Sequence, residues 1–474
     1  MSDNHRALTG DAADSGQVIA DAPPGAPQRI VVVGAGFSGF FAARRLARTL
    51  KPTQATITLV ADADGLVYQP LLPEVAIGNL DPRTIVVPLS TTLKRVHLVR
   101  GQATRIDPRA KTVSVQTHSG ADRQVEYDRL LITAGSVSRL PDIPGLSEHA
   151  IGFKTVAQAL YLRDLVLLRL ERANDEPDPD ARTALLSFIV VGAGYAGTEL
   201  VAQMARVTDR LAKRLPGIAA GELKWTLLDM APQVMPELGD TLGDRALRVL
   251  RERGVDVRLQ TSIDRITEAG AHLTDGSVVP CATVVWCAGV TPSPIVGDAG
   301  LPTVRGRLSV EPDLRVTGHD DIYAAGDAAA VPDLTKPRAA DGSRPLCPPT
   351  AQHAMRQGRA VARTIAADVR GRERRPYRHR DLGLVVDLGG PQAVARPLGV
   401  PLSGPAAKLV TRSYHLFALP TTRRRLRAVA SWALAGGTPD DVSFGLPMAS
   451  SVLARAEHPT TAVHAGADDP GADQ

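Results

Sequence analysis

Cysteine is scarce. Cys281, Cys287 and Cys347 are the three in 474 residues, too few for a disulfide framework, and none stands in a C-x-x-C pair. Aromatic residues make up only 4% of the chain, which leaves little of the stacking platform that single-stranded nucleic acid requires. Charge of one sign is also lacking: 55 basic residues against 50 acidic ones leave a net +5, so nucleic acid is not an expected partner. No apolar run approaches about 18 residues, which excludes a membrane-spanning helix. Glycine and proline, at 42 and 36, are too few for a fibrous or low-complexity chain. The opening MSDNHRALTGDAADSGQ has no basic-then-apolar pattern of a signal peptide, so a cytoplasmic location is expected.

What is present is a duplication. Ile30-Val31-Val32-Val33 reads as a buried parallel strand and runs into Gly34-Ala35-Gly36-Phe37-Ser38-Gly39, a helical stretch from Phe40 to Leu50, and a second strand at Ala55–Val60. The same order returns with Phe188–Val191, Gly192-Ala193-Gly194-Tyr195-Ala196-Gly197, a helix, and Lys224–Asp229. Each copy is a β-α-β unit, and the internal repeat predicts two Rossmann-like dinucleotide-binding domains in an α/β chain. Between the copies, Val113–Thr117 and Gln124–Tyr127 alternate apolar and polar around Gly120, which predicts a hairpin. Strands ending in small residues follow in both halves, Leu130–Gly135 and Thr283–Gly289.

The glycines predict a ligand. In strand–GxGxxG–helix the first glycine makes the turn, the second admits a pyrophosphate to the helix N-terminus, and the third lets helix and strand pack closely. An acidic residue closing the second strand reports on the adenosine ribose. Asp229 stands there in the second copy and favours NADH over NADPH; in the first copy that position is Ala61, with Asp62 beside it. Downstream, Ile322-Tyr323-Ala324-Ala325-Gly326-Asp327 is a strand ending in Gly-Asp, followed by Ala328-Ala329-Ala330, which are expected to open a helix.

Together these motifs resemble the two-dinucleotide flavoprotein reductases. The stretch Tyr68-Gln69-Pro70-Leu71-Leu72-Pro73-Glu74-Val75-Ala76, the segment Val284–Val290, and Pro348–Gly358 are similar to type II NADH:quinone oxidoreductases. Disulfide reductases of the same frame carry a redox cysteine pair after the first unit; this stretch has none. Sulfide:quinone oxidoreductases need cysteines bracketing the flavin, and only Cys347 falls near such a position.

The resemblance implies that FAD is held by Gly34, Gly36, Phe37, Ser38, Gly39, Asp62, Ala103, Ala134, Gly135, Gly326, Asp327, Ala351 and Gln352. NADH would lie on Gly192, Gly194, Tyr195, Ala196, Gly197, Glu199, Asp229, Ala288 and Gly289. Glu199 and Gln352 would be the catalytic pair: Glu199 organising the nicotinamide or relaying protons, Gln352 belonging to an A-Q-x-A-x-Q motif where quinone approaches the flavin. In that motif Ala351, Gln352 and Ala354 match, while Arg356 takes the place of the second glutamine and Gln357 follows it. No metal is expected. The implied activity passes electrons from NADH through FAD to a quinone, menaquinone or ubiquinone, without ion pumping. A soluble NAD(P)H-dependent reductase with another acceptor, and a redox-sensing flavoprotein, stay open as alternatives.

The expected organisation is a mobile arm over 1–28, a discontinuous FAD domain over 29–152 and 303–378 with the NADH domain, 153–302, inserted in it, a C-terminal region of short elements over 379–456, and a tail over 457–474. Asn174–Ala181 reads as an acidic loop or helix end. From Leu388 to Pro439 there is no Asp or Glu, but Arg396, Lys408, Arg412, Arg423, Arg424, Arg425 and Arg427 occur among Leu409, Val410, Tyr414, Leu416, Phe417, Leu419, Leu426, Val429 and Trp432. Pro420 predicts two helices there. The pattern suits peripheral binding to the inner face of the cell membrane, or packing on protein, including the partner of a homodimer.

Overall fold

The computed structural model describes residues 26–437. The expected arm up to residue 25, residues 438–456 and the expected tail (457–474) lie outside the described residues; Gln28, placed in the arm, already opens the first strand.

Strand Gln28–Val33 pairs in parallel with Ala55–Ala61 on one side and Arg129–Ile132 on the other. Neighbours on both edges and layers on both faces explain why Ile30–Val33 is an unbroken apolar run. The sheet continues through His97–Asp107 to the antiparallel Thr112–Thr117 and Asp122–Glu126, the expected hairpin. Its other edge is Ile322–Ala324, which pairs with Arg129–Ile132. The chain therefore leaves this sheet after Ile132 and returns to it at Ile322.

In between it builds a second, five-stranded parallel sheet in the order Ala150–Gly152, Thr283–Trp286, Ser187–Val191, Lys224–Asp229, Val255–Leu259. Both sheets set the strand before the glycine loop between the strand that closes its β-α-β unit and the strand that ends in small residues. The repeated sequence thus produces a repeated crevice at the carboxyl ends of the strands, where ligands bind in doubly wound folds.

Helix α1 (Phe37–Thr49) follows the first loop, starting three residues earlier than its sequence suggests. The short α2 (Leu72–Ala76) packs on α3 (Tyr195–Ala212), the helix of the second unit. Asn174–Ala181 runs from the end of helix Val156–Asp175 into another, Pro179–Leu185, capped by the Asp178 side chain.

Two expectations need correction. Ala328–Ala330 do not open a helix: Ala329–Ala330 form a short strand beside Arg307–Ser309, and the helix that faces the Gly-Asp segment is α4 (Ala351–Val369). Nor is the chain beyond residue 379 made only of short elements. After a three-stranded antiparallel sheet (Val385–Asp387, Ala393–Ala395, Leu402–Ser403) come α5 (Gly404–Ala418) and α6 (Thr422–Gly437), of 15 and 16 residues, separated around Pro420 as expected. Among the described residues no helix is long and apolar enough to cross a membrane.

Candidate active site

The two glycine loops have the same construction. Gly34 and Gly192 turn the chain at φ +95 and +108, in the region that favours glycine. A Cβ on Gly34 would stand 2.4 Å from the Thr133 carbonyl oxygen, and one on Gly192 2.9 Å from Ala288 Cα, so the strands ending in Ala134-Gly135 and Ala288-Gly289 are pressed against the loops. Gly39 and Gly197 pack even closer, onto the carbonyls of Gly34 and Gly192. Gly36 and Gly194 face open space. As N-caps of α1 and α3 they provide no side chain, and neither helix carries an acidic residue in its first turn. Each crevice therefore ends in backbone N–H groups without a capping partner at the positive end of a helix dipole, a setting that an anionic ligand satisfies.

At the first crevice three segments far apart in sequence converge. Ser38 Oγ donates to the Ala354 carbonyl at 2.9 Å, and a Cβ on Gly326 would meet Ser38 Oγ at 2.5 Å. The Gly326 N–H donates to Gln357 Oε1 at 2.8 Å. Gln357, one place beyond the motif position, thus holds the Gly-Asp segment in place. Asp327 accepts from Ser136 Oγ at 2.7 Å, and half-buried Lys154 donates to the Ser136 carbonyl. Asp62 is exposed at the end of its strand and accepts from the Ala63 N–H at 2.9 Å; Ala103 lies on strand His97–Asp107 at a register irregularity.

In the second crevice the Asp229 carboxylate is fixed from both sides. It accepts the Ala193 N–H at 2.5 Å and the Ala231 N–H at 2.7 Å, which ties the end of the strand to the glycine loop. Tyr195 is half-buried and Ala196 exposed on the first turn of α3.

One turn further on, Glu199 is buried. Its Oε1 accepts the backbone N–H of Asp387 at 2.7 Å, and Asp387 makes a buried ion pair with Lys408 at 2.5 Å. Glu74, on α2, is also buried and accepts the indole N–H of Trp432 at 2.7 Å. The Arg412 guanidinium lies 5.2 Å over that indole ring, and His415 Nδ1 meets the hydroxyl of buried Tyr68 at 3.1 Å. Lys408, Thr411, Arg412 and His415 recur at i, i+3, i+4 and i+7, so one face of α5 supplies this whole side of the cluster.

Three carboxyls buried together share two cations, and burial disfavours their charged forms. Burial, reinforced by the Asp387 and Glu74 carboxylates, raises Glu199 well above the usual range. Burial and the Asp387 carboxylate push Glu74 up to about 7. Burial pushes His415 down to about 4, so it is a neutral imidazole at neutral pH. His353 is pushed down to about 4 by burial and by His379, whose ring stacks on it at 3.6 Å. Burial also raises the thiols, Cys281 to about 11 and Cys287 and Cys347 to about 12, which leaves them poor nucleophiles.

Gln352 stands in the first turn of α4 with its amide donating to the Gly383 carbonyl at 3.0 Å. Ala351 precedes it, half-buried. Of the expected pair, Glu199 lies in this buried cluster and Gln352 lies on α4; Glu74, Asp387, Lys408 and Trp432 were not expected to join Glu199. The available signal for Glu74 was a carboxylate inside an otherwise apolar helix turn; for Asp387 it was an acid between Val386 and Leu388 in a strand.

The C-terminal basic residues also need correction. Of the seven expected to face a membrane, Lys408 is paired with Asp387, Arg412 covers Trp432, and Arg396 donates to the carbonyls of Glu237 and Leu238. Arg424 is buried on the Val86 carbonyl, and Arg425 donates to Phe417 and Leu419. Arg423 faces solvent, and Arg427 is half-buried near Asp81. Leu419 and Trp432 are buried, whereas Leu409, Phe417, Leu426 and Val429 are exposed, at 70%, 72%, 67% and 48%.

Residues 28–358 match the pyridine nucleotide-disulphide oxidoreductase family. A type II NADH:quinone oxidoreductase from Mycobacterium tuberculosis is 32% identical over 429 residues, covering 87% of this chain and 89% of the relative. Demethylphylloquinone reductase from Synechocystis is 30% identical, covering 85% of this chain and 95% of the relative. Among solved structures, NDH2 from Plasmodium falciparum in complex with NADH superposes with a TM-score of 0.79 at 15% identity, covering 87% of this chain and 99% of that one.

Proposed function

The chain belongs to the type II NADH:quinone oxidoreductases within the pyridine nucleotide-disulphide oxidoreductase family, and from that premise we propose that it oxidises NADH and reduces a membrane quinone without pumping ions. FAD, when bound, supplies the redox chemistry, taking hydride from NADH and passing two electrons to the acceptor. The observation that carries this reading is the pair of uncapped, glycine-walled helix N-termini, with a cluster of buried acids bridging α3 to the C-terminal helices.

In this reading the first crevice, with Gly34, Gly36, Phe37, Ser38, Gly39, Ala134, Gly135, Gly326 and Asp327, holds FAD, with residues 29–152 and 303–378 as its domain. Residues 153–302 hold NADH through Gly192, Gly194, Tyr195, Ala196, Gly197, Asp229, Ala288 and Gly289. Reducing a quinone with one hydride equivalent consumes one further proton from solvent. Glu199, kept protonated by burial, holds a proton beside the nicotinamide side of the site. Gln352, its amide N–H anchored on Gly383 and its side chain also bonded to Tyr414, orders the acceptor end.

The exposed Leu409, Phe417, Leu426 and Val429 on α5 and α6 form the face that rests on the inner leaflet, from which a lipid-soluble quinone is reached. A second copy of the chain is the rival occupant of that face. Because α5 and α6 contribute Lys408, His415 and Trp432 to the buried cluster, truncation would destroy the site as well as the contact. Point substitution to serine separates the two.

The activity is tested by steady-state oxidation of NADH by FAD-loaded protein with soluble menaquinone and ubiquinone analogues. Turnover with at least one of them is expected. Flavin reduced by NADH that no quinone reoxidises overturns the reading.

A further inference from the structure

We propose that the outer faces of α1 and α4 make a second, electrostatic contact with an anionic lipid surface through Arg45, Arg48, Arg359 and Arg363. This rests on the membrane reading of α5 and α6 given above.

The two helices pack on each other, and both lack acidic residues over most of their length: α1 has no Asp or Glu, and α4 has none before Asp368. Asp368 is buried and turned inward, bonded to Tyr323 and paired with Arg374. Arg45, Arg48, Arg359 and Arg363 are all exposed. Arg44 and Arg48 are spaced i, i+4, as are Arg359 and Arg363, an arrangement that sets like charges on one helix face and destabilises it. Arg359 also lies 4.5 Å over the Phe41 ring, which brings the α4 series against α1.

Several arginines elsewhere in this protein are matched with carboxylates. Arg29 pairs with Asp128 and Glu126, Arg182 with Glu222, and Arg315 with Asp313 and Asp320. On this face they meet each other. After burial, the influences that lower Arg44 are Arg48, Arg359 and Arg425; those that lower Arg359 are Arg356 and Arg45; those that lower Arg363 are Arg45 and Arg375. Among the described residues, no carboxylate contributes to any of the three. Stability alone gives no reason to gather these charges, whereas an anionic surface does.

Lipid is favoured over nucleic acid by what adjoins the patch. Arg44 donates to the Pro420 carbonyl at 3.2 Å, at the junction of α5 and α6. Arg425, next to it, donates to the Phe417 carbonyl, and Phe417 and Leu426 are exposed there. A basic face continuous with exposed apolar side chains matches headgroups above acyl chains; a nucleic acid backbone has no use for the latter. The C-terminal arginines are largely committed to internal carbonyls, so the charge for a leaflet comes from α1 and α4.

The test uses FAD-loaded protein and flotation with vesicles of phosphatidylglycerol mixed with phosphatidylcholine, and of phosphatidylcholine alone. In the quadruple variant Arg45→Gln/Arg48→Gln/Arg359→Gln/Arg363→Gln, partitioning onto anionic vesicles at low salt should fall by about 600-fold, since each basic residue near a leaflet contributes roughly fivefold. NADH oxidation with a soluble quinone should persist, and thermal unfolding should shift upward as the repulsion is relieved. The corresponding quadruple lysine variant should recover vesicle binding. A Leu409→Ser/Phe417→Ser/Leu426→Ser variant should retain the salt-sensitive binding and lose what survives in about 1 M salt, where the Debye length is about 3 Å. If wild type floats and the quadruple glutamine variant floats equally well, the proposal falls and the membrane reading stands. If wild type ignores anionic vesicles at low salt, both fall. Tighter retention on duplex DNA than on vesicles overturns the lipid assignment in favour of nucleic acid.

Discussion

The indole nitrogen of Trp432 donates to Glu74 Oε2 at 2.7 Å, and both side chains are buried. This bond joins α6, the last described helix, to α2, the short turn that follows the first nucleotide unit. Glu74 also feels Asp387 and Lys408, so the C-terminal helices and the acid cluster around Glu199 are electrostatically one unit. An interior bond of this kind gains strength from the low dielectric and leaves a costly orphan when one partner is removed. Trp432→Phe should therefore lower stability by about 1–3 kcal/mol. Denaturant unfolding checks this, and an unchanged midpoint would refute it.

Glu74 also makes stability depend on pH. In the folded protein it keeps its proton up to about 7, whereas in the unfolded chain it releases it near the ordinary glutamate value of 4.5. Between these values the unfolded state binds fewer protons, so stability is fully present below about 4.5 and declines as pH rises towards 7, by at most about 1.4 kcal/mol per unit from this group. Glu74→Gln should flatten that part of the stability profile. Melting temperatures of both proteins across the interval read the difference, and parallel profiles would remove Glu74 from the account.

Breaking the Asp387–Lys408 pair should cost more. Asp387→Asn leaves a buried ammonium without its counter-charge, a loss of about 3–5 kcal/mol. Adding Lys408→Met should recover part of it, because the orphan charge is gone. A double variant no more stable than the single one would show that the pair is not what Asp387 provides.

NADH should be preferred to NADPH. The Asp229 carboxylate is held beside the glycine loop by the N–H groups of Ala193 and Ala231, where the additional phosphate of NADPH would meet its negative charge. The ratio of kcat/KM for the two cofactors measures this, and Asp229→Asn should narrow it. Equal efficiencies in wild type would sink the assignment.

Gln352→Ala should slow reoxidation of the flavin by quinone and leave stopped-flow reduction by NADH nearly normal, since Gln352 stands on α4 and not on the glycine loop of the second crevice. An equal loss in both half-reactions would assign it to the fold or to FAD.

Much of this architecture was legible because it is local. A parallel strand buried on both faces must be continuously apolar, and a loop that presses against a neighbouring strand must be glycine; Ile30–Val33 with Gly34 and Phe188–Val191 with Gly192 follow those rules within ten residues. The hairpin at Thr112–Glu126 and the break at Pro420 are equally short-range.

What the sequence by itself determined, then, is the duplicated fold, the two glycine crevices and the absence of a cysteine pair beside the first of them. Tertiary structure alone decided the rest. Glu74, Glu199, Asp387, Lys408 and Trp432 are spread from residue 74 to 432 and carry no shared motif. Only the return of α5 and α6 across α2 and α3 brings them together. The same applies to the arginines: Lys408 and Arg423 look alike in one dimension, yet one neutralises a buried carboxylate and the other faces water. Whether a charge is buried, and beside which neighbour, depends on packing between distant segments, and burial is what sets its chemistry.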